Sequence, residues 1–222
     1  MNSFIKYLIF FFIFIIFSTY TPNYSSQKNS IFFPVKEIEI DNYSITKPKK
    51  IINELDYLLG KSILFIDKNN INLSIKKFDF IDEFKIKRIY PNTLKFIIEE
   101  KEPIAIFIDK KNTFYLTAKG ETITFLDLKR FDNLPYVIGK KDDFANFYLS
   151  LKKSNFEIEQ VSSFQYFEVG RWDIVLKNKK VIKLPVENYL ESINNFILLK
   201  NDKNFDDYQI FDYRIRDQLI LK

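Results

Sequence analysis

The sequence predicts an α+β protein in which an apolar N-terminal transmembrane helix precedes two exported folded units. The first is small and mixed, and the second is a mainly antiparallel β domain with packed helices. Three observations carry this reading. An apolar run fills most of the first twenty residues. Helix-period and strand-period segments then follow in the order β-α-α-β-β. Beyond Pro103 the pattern turns to short alternating strands split by turn residues. With 46% hydrophobic and 18% aromatic residues, a chain of 222 residues has enough apolar surface for a real core.

The apolar run follows Lys6, and no charge occurs from Tyr7 until Lys28. Read as a helix over 4–20 it is roughly 25 Å long at ~1.5 Å per residue, near the lower limit for spanning a bilayer. Lys6 and the amino terminus make its front end positive, which puts the bulk of the chain outside the cytoplasm; Tyr7 and Tyr20 suit the two interfaces. A cleaved signal peptide has the same charge and a similar apolar length, but Ser18, Thr19 and Thr21 around Tyr20 make no small-x-small cleavage pattern. Both readings export the remainder. The anchor is assigned to 1–22 and a polar spacer to 23–33.

A half-buried strand over 35–41 alternates Ile38 and Ile40 with Glu37 and Glu39. Pro48 sits in the first turn of a helix showing Ile51, Ile52, Leu55, Leu58 and Leu59 on one side, ended by Gly60. Asp67 caps a shorter helix with Ile71, Ile75 and Phe78 on one face. Strands over 84–88 and 94–99 flank a turn containing Pro91. These make one unit, 34–102. In the second unit, 103–222, strands are expected over 104–108, 113–117, 122–125, 164–169, 172–177, 181–184, 208–213 and 217–221. One helix opens at Asp142 and Asp143, and another carries Tyr189, Ile193 and Phe196.

Composition excludes much chemistry. Without His or Cys there is no Ser-His-Asp or Cys-His arrangement, no disulfide, and no zinc or iron site built on imidazole or thiolate. The 34 Lys+Arg against 29 Asp+Glu give only +5, and the lysine pairs (among them Lys110-Lys111 and Lys179-Lys180) are interleaved with acids, which argues against nucleic acid. Lys47, Lys49 and Lys50 could be drawn weakly to anionic headgroups. The acids at Glu99-Glu100-Lys101-Glu102, Asp142-Asp143 and Asp206-Asp207 read as solvated or capping groups, since neighbours in a strand point to opposite faces. No D-x-D-x-D-G loop occurs. No enzyme activity, cofactor, metal or small-molecule substrate is expected. Trp172, the only tryptophan, suits either an interface anchor or a core position.

The order of motifs resembles the bacterial FtsQ/DivIB cell division family. Arg88, Pro91, Thr93 and Leu94 followed by Glu100, Pro103 and Ala105 are similar to its R-x-x-P-x-T-L and E-R-x-P-x-A signatures. Leu58-Leu59-Gly60 with Leu64 and Asp67 resembles its POTRA opening. Leu134-Pro135 with Gly139, Arg171-Trp172-Asp173, Leu184-Pro185 and Phe211-Asp212-Tyr213-Arg214 match its later pieces. The resemblance covers about 32–222. It departs where only six residues precede the apolar run, and where Lys179 or Lys180 replaces a frequent Gly. It implies a POTRA domain plus an FtsQ-type β domain, in a non-enzymatic divisome scaffold of the cell inner membrane, single-pass, with its bulk in the periplasm at the septum. Its implied partners are FtsB- and FtsL-type bitopic proteins. An outer-membrane assembly or secretion component is the alternative, because POTRA units also serve there; an extracytoplasmic hydrolase is a third.

The last expected strand has no later segment to cover its outer edge. Such an edge is hidden, charged or meant for a partner. Arg214, Arg216 and Lys222 supply charge; alternatively a partner strand adds there, with Ile215, Leu219, Ile220 or Leu221 meeting its side chains and Arg214 or Arg216 pairing its acids. The resemblance favours strand addition and gives the candidate site Arg214, Ile215, Arg216, Leu219, Ile220 and Leu221.

Overall fold

The computed structural model describes residues 3–19, 31–110 and 112–222. Most of the expected spacer, Tyr20 of the expected anchor, and Lys111 lie outside the described residues. Helix α1 (Ser3–Thr19) has 17 residues and apolar side chains on every side. From Ile5 to Ser18 its side chains are exposed. At about 1.5 Å per residue it measures roughly 25 Å, against a hydrocarbon core of about 30 Å. Among the described residues no helix is long and apolar enough to cross a membrane, which falls short of the spanning helix the sequence predicts.

The first sheet has three strands in the order β1-β3-β2. Strand β1 (Glu37–Asp41) runs parallel to β3 (Thr93–Glu100), which pairs antiparallel with β2 (Ile81–Ile89). Helix α2 (Pro48–Leu55), extended by a 3-10 turn (Asp56–Leu58), and helix α3 (Lys68–Ile75) cover one face. Pro48 occupies the first helical position, and Asp67 accepts from the Asn69 amide at 2.8 Å, so both helix starts follow from residues visible in the sequence. Ile51, Leu55, Ile71 and Ile75 meet Ile38, Leu94, Phe96 and Ile98 in a single core. Glu100, at the far end of β3, accepts from the backbone N–H groups of Ser44, Ile45 and Thr46 at 2.7–3.1 Å. Glu99 pairs with Lys85 across the ladder.

The second sheet has nine strands: β12-β11-β10-β9-β8-β7-β4-β5-β6. These are β4 (Pro103–Asp109), β5 (Asn112–Thr117), β6 (Thr122–Thr124), β7 (Tyr136–Ile138), β8 (Val161–Phe167), β9 (Arg171–Leu176), β10 (Val181–Lys183), β11 (Ile210–Asp212) and β12 (Ile220–Leu221). Helices α4 (Phe144–Lys153) and α5 (Tyr189–Leu199) lie on one face, where Phe144, Phe147, Leu151, Ile193 and Phe196 pack on Phe164, Ile174, Ile182 and Phe211. Strand β7 escapes the sequence reading because it is only three residues long between Pro135 and Gly139. It pairs parallel with both β4 and β8, and β10 pairs parallel with β11, so the sheet is more mixed than expected. Gly139 has φ +102, and a Cβ there would meet the Tyr166 carbonyl oxygen at 2.8 Å, which accounts for the motif glycine. Asp143 stands at the α4 N-cap without a side-chain capping bond, and with Asp142 it faces Lys140 instead.

A third, smaller core joins the two sheets. Phe80, just before β2, is buried with Ile106, Tyr115, Ile123 and Phe131, and Ile45 packs against them. The Lys101 amide donates to the Phe80 carbonyl at 2.7 Å, and Lys119 pairs with Asp82. Only two residues separate β3 from β4, so this cluster sits where the ladder changes sheets.

Two stability measurements follow. Phe80→Ala removes a buried ring from the joint and should cost about 3 kcal/mol in urea unfolding of the whole chain; a loss within about 0.5 kcal/mol would show that the cluster collapses freely. Lys179, in the β9–β10 turn, holds φ +69. Lys179→Gly should therefore stabilise by about 0.5–1 kcal/mol, the strain of a side chain in left-handed backbone less the entropy that glycine loses.

Candidate functional site

Strand β12 ends the nine-stranded sheet, and among the described residues no strand lies beyond it. It is two residues long, because Asp217 takes φ +59 and breaks the strand expected from 217 onward. Its inner side is bonded to β11: Lys222 N–H donates to Ile210 at 3.1 Å, and Ile210 N–H donates back at 3.0 Å. Antiparallel ladders alternate bonded and non-bonded pairs. Asp212 and Ile220 thus form the next bonded pair, whereas Leu221, opposite Phe211, turns its N–H and C=O outward.

The expected site residues divide between two surfaces. Leu219 and Leu221 lean on the helix-covered core, so they are less available than the sequence reading allowed. Ile215 and Ile220 are exposed, and Arg216 is almost wholly so, with Asp217 3.6 Å from its Nε. An open cleft runs beside the edge between α5 and 213–219, lined in part by Glu187, Glu191, Asn195, Arg214, Ile215 and Arg216.

Three devices hold this edge in place. The first is Lys180, buried to 3% exposure. Its Nζ donates to the carbonyls of Phe205 (3.0 Å) and Tyr208 (2.6 Å) and lies over the Phe205 ring, which fixes the turn leading into β11. The second is Tyr213, whose hydroxyl donates to Asn195 Oδ1 at 2.9 Å; burial pushes its phenol up. The third is a row of charges on the face away from α4 and α5. Asp173, Lys183 and Asp212 are cross-strand partners on β9, β10 and β11, with Arg171 and Arg214 beyond them. Arg214 forks onto Asp212 (Nε–Oδ1 2.8 Å, Nη2–Oδ2 2.6 Å), which occupies the guanidinium that the sequence offers to a partner. Its hydrogen bonds hold the Asp212 carboxyl below its ordinary range, against the burial that would raise it. Asp173 goes the other way. Burial raises it even though Arg171 is 3.3 Å away and Lys183 and Arg214 are near. Sequence reasoning missed both this row and Lys180, because alternation along single strands does not show which strands neighbour one another.

Trp172 belongs to the core: it is 6% exposed, stacks on Phe147 at 5.0 Å and meets Tyr166 edge-on. Among the described residues no cluster of three acids is disposed to hold a metal ion.

The two carboxylates make opposite statements about pH. The Asp212 contribution is present above the unfolded carboxylate value, about 3.9, and is lost as pH falls through its lower folded value. Ionisation of Asp173 opposes folding, and that penalty disappears on acidification. Asp212→Asn should therefore cost about 1–2 kcal/mol at neutral pH, reduced because Arg214 is 43% exposed, with the difference from the parent closing as pH falls through the lowered folded value. Asp173→Asn should cost less at pH 7 and gain nothing on acidification. Urea unfolding at both pH values checks the pair.

A protein-family model described as "POTRA domain, FtsQ-type" matches residues 33–101, and one described as "Cell division protein FtsQ/DivIB, C-terminal" matches 105–214. Strand β12 lies beyond that second match. A cell division protein FtsQ of Rickettsia conorii is 26% identical over 209 residues, covering 91% of this chain and 77% of the relative. That of Rickettsia prowazekii is 28% identical over 198 residues, covering 86% and 72%. The major extracytoplasmic domain of DivIB from Geobacillus stearothermophilus aligns with 48% of this chain and 98% of its own at 16% identity, with a TM-score of 0.31, too loose to equate individual elements.

Proposed function

The chain belongs to the FtsQ/DivIB family of cell division proteins, and on that premise we propose that it is a non-enzymatic, membrane-tethered divisome scaffold. It holds FtsB- and FtsL-type bitopic partners on the periplasmic side of the inner membrane at the septum. Within it, 34–102 is the POTRA domain that serves recruitment, and 103–222 is the β domain that captures partners.

The observation that supports partner capture is the outward-facing backbone of Leu221 on a terminal edge strand. A free edge is a template for main-chain pairing, and it is tolerated where it is used. A partner strand laid along β12 would run past exposed Ile220 and Ile215, with the mixed charges of the neighbouring cleft to select its side chains. Arg216 is the cation best disposed to meet a partner acid, since Arg214 is committed to Asp212.

Tethering is the work of α1. A helix of about 25 Å is accommodated in a thicker bilayer by local thinning and by Lys6 reaching the headgroups, at a modest cost. Its run of exposed apolar side chains after Lys6 supports lipid as its surroundings.

Backbone chemistry gives a sharp test. Leu221→Pro removes one outward N–H and leaves the bonds of Ile220 and Lys222 to β11 in place, whereas Leu221→Ala trims the same side chain and keeps that N–H. Co-purification of the FtsB-type partner from membranes should drop by at least about tenfold with Leu221→Pro, the loss of roughly one well-made main-chain contact, and stay near the parent level with Leu221→Ala. Equal yields from both variants would move the contact elsewhere.

A further inference from the structure

One end of the three-stranded unit carries apolar side chains that its own core does not use. Phe65 is 84% exposed, Phe32 75%, and Tyr90 54%, and Phe33, Tyr57 and Leu64 are exposed beside them. The backbone brings these residues together. Ser62 Oγ donates to the Phe32 carbonyl at 2.7 Å and Ile63 N–H to the Phe33 carbonyl at 2.9 Å; the Phe33 and Tyr90 rings meet edge-on at 5.6 Å. Phe33 is kept there at φ +51, a left-handed conformation that is costly for an aromatic residue. Cations are interspersed: Lys61 lies over the Tyr57 ring, Arg88 donates to the Ile63 carbonyl, and Lys36 is exposed nearby. Of the two acids in the same loop, Asp67 is occupied in capping α3, and Asp56 starts the 3-10 turn.

We infer that this rim is a lipid-contacting surface that seats the first unit on the membrane from which the chain emerges. The inference rests on the reading of α1 as a membrane tether. Three features favour lipid over a protein occupant. Exposed Phe and Tyr interleaved with Lys and Arg is the composition that suits the headgroup boundary, where rings sit among headgroups and cations meet lipid phosphate. Next, the rim is where the chain enters the fold: only residues 20–30 separate α1 from Ile31, a reach of at most about 40 Å. Finally, the second sheet lies at the other end. Strand β3 starts at the rim with Thr93 and leads away to Glu100, about 25 Å on at ~3.3 Å per residue, where Phe80 and Ile45 join the second unit. The partner-binding edge can then project outward while the rim rests on the bilayer. Lys47, Lys49 and Lys50, which the sequence suggests for headgroup contact, stand with Glu100 at this far end, around the start of α2.

The absence of cysteine makes single-site labelling clean. Full-length chain with Phe65→Cys, Phe12→Cys (in α1) or Leu198→Cys (exposed, on α5) is labelled with bimane and reconstituted into phosphatidylethanolamine–phosphatidylglycerol vesicles carrying nitroxide lipids. The Phe65 probe should be quenched by a nitroxide near the headgroup at least about threefold more than the Leu198 probe, as shallow insertion requires. Adding Phe32→Asp and Tyr90→Asp should remove that excess. The Phe12 probe should respond to a mid-acyl nitroxide. Quenching at Phe12 with none at Phe65 overturns the rim and leaves the tether intact. Quenching at Phe65 with none at Phe12 overturns the tether and supports the rim as a peripheral contact. A Phe65 probe untouched by lipid quenchers in vesicles but shielded from aqueous iodide in native membranes would assign the rim to a protein partner and overturn the lipid reading.

Discussion

A backbone amide at the end of a sheet has a neighbour on one side only, and the functional reading of this molecule depends on that constraint at β12. The strand is too short to hold itself. Its inner bonds to β11 need β11 to be held, and β11 is held by the Lys180 ammonium on the carbonyls before it and by parallel pairing with β10. The Arg214–Asp212 fork and the Tyr213–Asn195 bond then fix the exit of β11. Leu219 and Leu221 close the return by leaning on the core. What remains outside this set of contacts is the outer backbone of Leu221 and the side chains of Ile215, Arg216 and Ile220.

Much of the fold was legible in the sequence because local signals agree with one another. Pro48 and Asp67 mark helix starts, and the spacing of Ile51, Leu55, Ile71 and Ile75 marks the faces that are buried. The glycines repeat the lesson: only four occur, and all four have positive φ, so each retained glycine does mark a special backbone. The converse was not legible. Seven other described residues also take positive φ; Asn and Asp tolerate that region, but nothing in the residue type announces it at Phe33, Lys110 or Lys179. Asp217, also at positive φ, shortened the last strand.

The candidate site was half legible. Among the described residues β12 stands at one end of the nine-stranded sheet. Which side chains it offers depends on facts that no single strand contains. Arg214 is occupied because Asp212 lies two residues before it on a buried strand end, and Leu219 and Leu221 turn inward because β12 pairs with β11 in one register and not its neighbour. The charged row Asp173–Lys183–Asp212 exists only once β9, β10 and β11 are side by side. Burial decides the sign at Asp173 and the arginine fork decides it at Asp212, so two motif aspartates in similar company behave oppositely.

Amide hydrogen exchange resolves the two sides of β12. In the free protein Ile220 and Lys222, bonded to β11, should exchange more slowly than Leu221, whose N–H faces outward. On adding the extracytoplasmic part of an FtsB-type partner, Leu221 should become protected while Ile220 and Lys222 change little. A Leu221 amide that still exchanges freely in the saturated complex would contradict strand addition at this edge.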